Sequence, residues 1–324
     1  MMNIALGFDN KFAKYACVTI KSILYNNVAK IKFYLMVDSS VSFIYKMYMT
    51  HMIKSAGNEV VFIDMSKKFK NLFTTKAWSK AMYYPILLSS ICEDERVLFL
   101  DSDVIVNSDL TEFYNTDLAG IQCAAVQDYG LLSLIKQNSD IAISNNSNKK
   151  VSTSEYFLQI RKWGSDDINR YFNSGVLLLN LSEMRKNNSE QKMLNILSCE
   201  KLAFPDQDCF NICFYDSVKI LPMKYNFMVI IDEVLRNLDS EDKKCYLKII
   251  KNNDIPPLIH FIKKPWKGLV SEIPFANLYY KYKNMTILRY LLEKSDRRNV
   301  IRLRISKNEV YLYLFGKRIF LIER

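Results

Sequence analysis

The segment Val97 to Val106 constrains this chain more than any other: four apolar residues, Val97-Leu98-Phe99-Leu100, run into Asp101-Ser102-Asp103 and then into Val104-Ile105-Val106. The apolar run reads as a short strand, and the ends of such strands are where open α/β sheets bind phosphorylated ligands. Two carboxylates, two positions apart, suit a hard divalent cation, which prefers oxygen ligands and offsets the charge of a diphosphate. The same pair also fits an Asx turn or the first turn of a helix.

Upstream of this strand the pattern alternates. Asn3 to Phe8 reads as a strand, Ala13 to Leu24 as a helix and Ile31 to Val37 as a second strand. A helix around 43–56, a strand at 60–63 and a helix around 77–90 continue it, which predicts a parallel or mostly parallel sheet flanked by helices. With 324 residues, 49% of them hydrophobic, the chain holds one large α/β domain plus an appendage, or two modest domains. No run approaches the roughly 18 uninterrupted apolar residues of a membrane span. Met1 to Asn10 lacks the basic and long apolar regions of a signal peptide, so a cytoplasmic protein is expected. The seven cysteines are odd in number and scattered; they read as reduced core thiols, with no zinc site.

The net charge of +11 calls for an anionic partner: nucleic acid, an acidic membrane surface or a phosphorylated substrate. Residues 295–324 hold eight Lys or Arg against three acids, a net +5. There Ile301, Leu303 and Ile305 alternate with Arg302, Arg304 and Ser306, and a second run with Tyr311, Tyr313 and Phe315 follows, which predicts a β-hairpin. Basic residues interleaved with aromatics suit an anionic bilayer, while a hairpin packed on the main domain with solvated charges is the plain alternative. A non-enzymatic, basic nucleic-acid-binding protein is the alternative of a different class, but no nucleic-acid motif is present and no nucleic-acid partner is expected.

Several other segments stand out. His51 lies in a helical stretch without a nearby carboxylate and reads as structural. Asn138 to Ser154, rich in Asn, Ser and Lys, has no period and reads as a surface loop or insertion. Phe172-Asn173-Ser174-Gly175 turns into the apolar run Val176 to Leu179; the glycine allows close approach beside the asparagine amide, and an ordinary turn is the alternative. Phe204-Pro205-Asp206-Gln207-Asp208 opens a helix, with Asp206 or Asp208 as N-cap and Pro205 just outside, while Gln207 offers a donor and an acceptor to a sugar. In His260-Phe261-Ile262-Lys263-Lys264-Pro265-Trp266, the imidazole can complete an oxygen-rich metal site and the lysines can meet phosphate; a buried, hydrogen-bonded histidine is the alternative.

In this order, over roughly the first 270 residues, these segments resemble glycosyltransferase family 8, the retaining transferases that include bacterial lipopolysaccharide and lipooligosaccharide galactosyl- and glucosyltransferases and glycogenin. The resemblance implies a GT-A type α/β catalytic domain over 1–270, with a small basic helix and β-hairpin appendage over 271–324. It implies Asp101, Asp103 and His260 as ligands of Mn2+, with Mg2+ as the alternative ion. Gly7, Asp9, Asn10, Ser102, Asn173 and Lys264 are implied as contacts of the donor, UDP-glucose or UDP-galactose. Gln207, Asp206 and Asp128 are implied as catalytic residues beside the donor sugar and the acceptor, a glycan or lipid-linked saccharide. Gln207 would sit opposite the leaving group. Peripheral attachment to the inner face of the cytoplasmic membrane would follow from the tail. The chain departs from the family pattern at Asn10-Lys11, where Asp-Asn is commoner, at Pro85, where many relatives have a donor-touching arginine, and at Lys263, where glycine is usual. The arginine's contact is then either missing or supplied by another residue, for which Lys80 is a candidate. A sugar-1-phosphate nucleotidyltransferase, the alternative enzyme, lacks its glycine-rich loop here, since Gly7 is the single glycine before Gly57.

Overall fold

In the computed structural model, which describes residues 1–69, 79–143, 150–230, 232–238, 240–267, 272–286, 301–305, 309–314 and 317–323, the first hundred residues alternate as their apolar pattern predicts. Strand β1 (Met2–Phe8), helix α1 (Ala13–Asn26), β2 (Ile31–Val37), α2 (Phe43–Lys54), β3 (Glu59–Asp64) and β4 (Arg96–Leu100) follow one another. Their parallel pairing places β4 and β2 on opposite sides of β1. The strand order therefore reverses at β1, and the crevice beyond the carboxyl ends of β1 and β4 is the ligand position of open α/β sheets.

The strands β5 (Val104–Val106), β6 (Cys123–Val126), β7 (Asp140–Ala142), β8 (Lys150–Ser152), β9 (Val176–Asn180) and β10 (Val218–Leu221) follow; β6, β9 and β10 extend this sheet, and β5, β7 and β8 pair elsewhere. The seven strands run in the order β10-β6-β9-β4-β1-β2-β3. Only β9 is antiparallel to its neighbours, β4 and β6. Its amino end therefore lies beside the carboxyl ends of both, which brings the turn before it to Asp101 on one side and to Asp128 on the other. Along β4 and β9, Leu98, Leu100, Val176 and Leu178 enter one core, and Val97, Phe99, Leu177 and Leu179 enter the core on the opposite face. Alternation on a pleated strand explains the division, and burial on both faces explains why the runs are wholly apolar.

A second sheet closes the site. β11 (Phe227–Met228), β12 (Leu258–His260) and β5 pair in the order β11-β12-β5, with β12 antiparallel to β5 and His260 opposite Val104. The last residue of β12 is thereby set beside the Asp101-Ser102-Asp103 turn.

The structure corrects four readings of the sequence. The helix expected over 77–90 is a 3-10 helix over Lys80–Leu87 followed by one α-turn, Leu88–Ile91; Pro85 has no N–H for a longer α-ladder. Residues 77 and 78 lie outside the described residues. Part of the loop expected at 138–154 is the antiparallel pair β7 and β8, and residues 144–149 lie outside the described ones. The tail forms three antiparallel strands, β13 (Ile301–Ile305), β14 (Glu309–Leu314) and β15 (Lys317–Glu323), because the apolar run Ile319 to Ile322 adds a strand to the expected hairpin. Finally, Ile273, Phe275, Ala276, Tyr279 and Tyr282 pack in the main core, past the boundary set at residue 270, and the Tyr282 hydroxyl accepts a hydrogen bond from Asn26 Nδ2 at 2.8 Å. No described helix is long and apolar enough to cross a membrane.

Candidate active site

Backbone pairing assembles the centre of the crevice. Asp101 N donates to Gly175 O at 2.8 Å, and Phe261 N donates to Asp103 O at 3.1 Å, so the turn after β4 is pinned between the two sheets. His260 Nε2 then lies 3.2 Å from Asp103 Oδ1 and 3.8 Å from Asp101 Oδ2. One ligand atom from each of the three residues lies within 4.8 Å of the others. Ser102 turns away from them: its carbonyl accepts the Thr19 hydroxyl at 2.9 Å, and its own hydroxyl reaches Gly7 O at 3.5 Å, tying the turn to α1 and β1.

Gly175 has no room for a side chain. A Cβ there would stand 2.4 Å from His260 Cε1 and 2.7 Å from Asp101 Oδ2, so glycine permits the close approach of backbone to the cluster.

The electrostatics of the two aspartates diverge. Burial, and then the negative charge of Asp103, push the Asp101 carboxyl up to about 7. Burial also works against ionisation of Asp103, but Lys264, whose ammonium is in direct contact with Oδ2, and His260 together outweigh it and hold this carboxyl well below the usual range. Its other oxygen, Oδ1, is buried without a hydrogen-bond partner. A buried acceptor left open beside an imidazole nitrogen and a second carboxylate is the donor set of a divalent-cation site.

The wall next to this cluster is a network of polar side chains. Asp128 caps the helix Tyr129–Lys136 through Oδ1, which accepts from Leu131 N at 3.0 Å. Its Oδ2 accepts from Asn173 Nδ2 at 3.2 Å and from Gln207 Nε2 at 3.0 Å. Gln207 Oε1 accepts from Asn173 Nδ2 at 3.1 Å and from Ser174 N at 3.0 Å. Asp206 Oδ2 accepts from the Ser174 hydroxyl at 3.0 Å, and burial pushes this carboxyl up to about 6.

The Asp-Gln-Asp segment therefore divides by role. Pro205 is the first residue of the helix Pro205–Cys213 rather than outside it, a position where its missing N–H costs nothing. The N-cap is Phe204, with no side-chain cap, so neither aspartate plays that part; Asp208 lies inside the helix and accepts from Phe204 N at 2.8 Å and Ala203 N at 2.9 Å, and from the hydroxyls of Tyr156 at 2.6 Å and Tyr171 at 2.7 Å. Asp206 and Gln207 face the Ser174 turn instead.

At the carboxyl end of β1, Asp9 Oδ1 accepts from Phe12 N at 3.0 Å and so begins α1. Asn10 Oδ1 accepts from Ser42 N at 3.1 Å, joining this loop to the one after β2. Gly7 faces Ala81 O, which a Cβ would approach to 3.2 Å. His51 is half-buried on α2, in the segment where the sequence placed it.

One residue of the site was missed by sequence reasoning. Asn226, with no exposed surface, donates to Asn173 Oδ1 at 2.9 Å and faces His260 Nδ1 at 3.2 Å through its Oδ1. Its sequence signal is faint: a lone amide directly before the apolar residues of β11.

The model of glycosyl transferase family 8 matches residues 3–269. The chain belongs to glycosyltransferase family 8. Among curated members, glycosyltransferase GlyB of Streptococcus pneumoniae is 28% identical over 301 residues, covering 91% of this chain and 63% of GlyB. A lipopolysaccharide 1,2-glucosyltransferase of Escherichia coli is 28% identical over 293 residues, covering 86% of this chain and 77% of the relative. The galactosyltransferase LgtC, solved with donor and acceptor sugar analogues, superposes with a TM-score of 0.63 at 20% identity, covering 88% of this chain and 96% of LgtC. The bifunctional glycosyltransferase WbbM superposes with a TM-score of 0.74 at 22% identity, and the match spans 50% of that chain. These two structural likenesses establish the shared α/β fold.

Proposed function

We propose that this family 8 chain is a metal-dependent hexosyltransferase that moves glucose or galactose from a UDP-sugar to a sugar hydroxyl of a lipopolysaccharide, lipooligosaccharide or related glycan, with retention of anomeric configuration. The observation that carries the reading is the buried, partnerless Asp103 Oδ1 facing His260 Nε2 at 3.2 Å beside Asp101. Two carboxylates and an imidazole fit Mn2+, or Mg2+ as the harder alternative. Asp101, Asp103 and His260 would hold the ion, which supplies Lewis acidity to the departing UDP.

The surrounding residues position the donor. Gly7, Asp9 and Asn10 edge the carboxyl end of β1, the nucleotide side of the crevice, and Ser102 joins them to the turn after β4. Lys264, which contacts Asp103, carries a compact positive charge for the diphosphate. Asp206 and Gln207 line the sugar side, Asp206 to orient hydroxyls and Gln207 to stabilise positive charge at the anomeric carbon. Asn173 and Asp128 hold the Gln207 amide in place through the hydrogen bonds described above. The similarity to the lipopolysaccharide 1,2-glucosyltransferase of Escherichia coli supports a lipopolysaccharide-type acceptor. A cytoplasmic location and an anionic membrane surface met by the basic tail complete the reading, with the tail sheet over 301–323 as the appendage.

The test is UDP release by the purified protein from UDP-glucose, UDP-galactose and their N-acetyl forms, with Mn2+ and with EDTA. Metal-dependent release from a hexose donor, lost in Asp103→Ala, supports the reading. If no donor is cleaved or bound with either ion, the reading fails.

A further inference from the structure

A backbone N–H can only donate, and two such groups set the polarity of the network beside His260. Gly175 N lies 3.0 Å from one amide atom of Asn173, which must be the oxygen. Ser174 N lies 3.0 Å from one amide atom of Gln207, which must also be oxygen, so the Asn173 atom facing it at 3.1 Å is the nitrogen. The two constraints agree on the orientation of Asn173. Asn226 meets the Asn173 oxygen at 2.9 Å and has to donate there, which leaves its own oxygen 3.2 Å from His260 Nδ1. An oxygen acceptor at that distance requires the proton on Nδ1.

We infer that Asn226 is the positioning residue that fixes His260 in its Nδ1–H tautomer, so that Nε2 presents a lone pair to the two aspartates. This rests on the reading of Asp101, Asp103 and His260 as a metal site. A neutral imidazole carries a single N–H, so Nε2 faces Asp103 Oδ1 at 3.2 Å as one acceptor against another. Facing acceptors repel in a buried setting unless a cation lies between them. Metal-bound histidines are generally oriented in this way by an acceptor on the second ring nitrogen. The polarity of the chain thus runs from the Ser174–Gly175 turn through two asparagines to the imidazole, with Asn226 as the last link.

The chain has two histidines, His51 and His260, so 15N-histidine labelling yields two ring systems, and His51→Gln assigns them. In the metal-free protein the ring of His260 is expected to carry its proton on Nδ1, facing Asn226 Oδ1. Asn226→Leu removes the acceptor; it is expected to lose the single tautomer and to weaken Mn2+ binding, titrated by electron paramagnetic resonance without donor, by about 10–100-fold. Asn226→Asp keeps an oxygen toward Nδ1 while losing the donor to Asn173, and is expected to retain the tautomer and most of the affinity. A purely structural role predicts that both substitutions weaken binding alike. An Nε2–H or doubly protonated ring in the unsubstituted protein overturns the inference, and so does an Asn226→Leu variant with unchanged tautomer and affinity. Should Asn226→Leu not fold, the unsubstituted protein and Asn226→Asp still decide. An Nδ1–H ring in a protein that binds neither Mn2+ nor Mg2+ would support the tautomer assignment and sink the metal reading.

Discussion

Asp208 and Asp103 are both buried aspartates, exposed to 0% and 8% respectively, and they sit in opposite chemical situations. Asp208 is saturated: two tyrosine hydroxyls and two backbone N–H groups converge on it. Asp103 has Lys264 on one oxygen, while the other is buried with no hydrogen-bond partner. Burying a carboxylate is costly unless its lone pairs are occupied. The saturated residue is therefore part of the scaffold, holding the start of a helix to the residues around Tyr156 and Tyr171, and the open one marks where a ligand completes the coordination. The same contrast separates the neighbours Asp206 and Asp208, whose identical side chains face different sides of one helix.

The contrast breaks most visibly on substitution. Asp208→Ala removes the shared acceptor of two tyrosine hydroxyls and two backbone N–H groups and is expected to destabilise the fold by about 3–5 kcal/mol, read from chemical denaturation. Stability within 1 kcal/mol of the parent would show that the network is not structural. Asp103→Asn is expected to act mainly on the ligand site: metal affinity falls by at least about 10–100-fold, while the stability cost, set by the weakened Lys264 pair, stays below that of Asp208→Ala because Oδ1 has no hydrogen bond to lose. Parallel calorimetry and denaturation check it, and a large stability loss would place Asp103 with Asp208. Gly175→Ala drives a methyl into His260 and Asp101 and is expected to lower metal affinity by about 10–100-fold with a stability cost of about 1–3 kcal/mol.

The smallest effect is a pH dependence with a definite sign. Asp206, pushed up to about 6 by burial, and Asp101, also raised, bind protons more tightly folded than unfolded. The contribution of these two carboxyls to metal-free stability should be full below the ordinary carboxylate range and be lost as pH rises from about 4 through 7, whereas Asp103, held low, contributes in the opposite sense and loses its share only as pH falls below that range. Metal binding has to displace the Asp101 proton, so Mn2+ affinity should increase with pH over the neutral range. Thermal melts with and without Mn2+ across that range check both signs; an apo stability that climbs through it would contradict the raised carboxyls.

Much of the site was legible because its chemistry is carried by short segments at strand and helix ends. The Asp101-Ser102-Asp103 turn ends an apolar strand, and His260 ends another; these are local facts, written in residue order. What stayed hidden was pairing. Nothing in Val176 to Leu179 says that β9 runs against its neighbours, yet that direction carries Asn173, Ser174 and Gly175 to Asp101. That Asp208 is an internal anchor and not an N-cap likewise depended on Tyr156 and Tyr171, 52 and 37 residues away. Asn226 could not be singled out, because one amide before an apolar pair has no period and no motif.

The sequence by itself determined the alternation of strands and helices, the family, and the residue types gathered at the carboxyl ends of the strands, since periodicity and short motifs are properties of neighbouring residues. The tertiary structure decided which of those polar groups are saturated and which are open. That depends on donors brought together from distant segments, and on a backbone N–H at Gly175 whose direction passes through two asparagines to an imidazole. Hydrogen-bond satisfaction is a property of three-dimensional neighbours, so it becomes readable once β9 and β12 are in register.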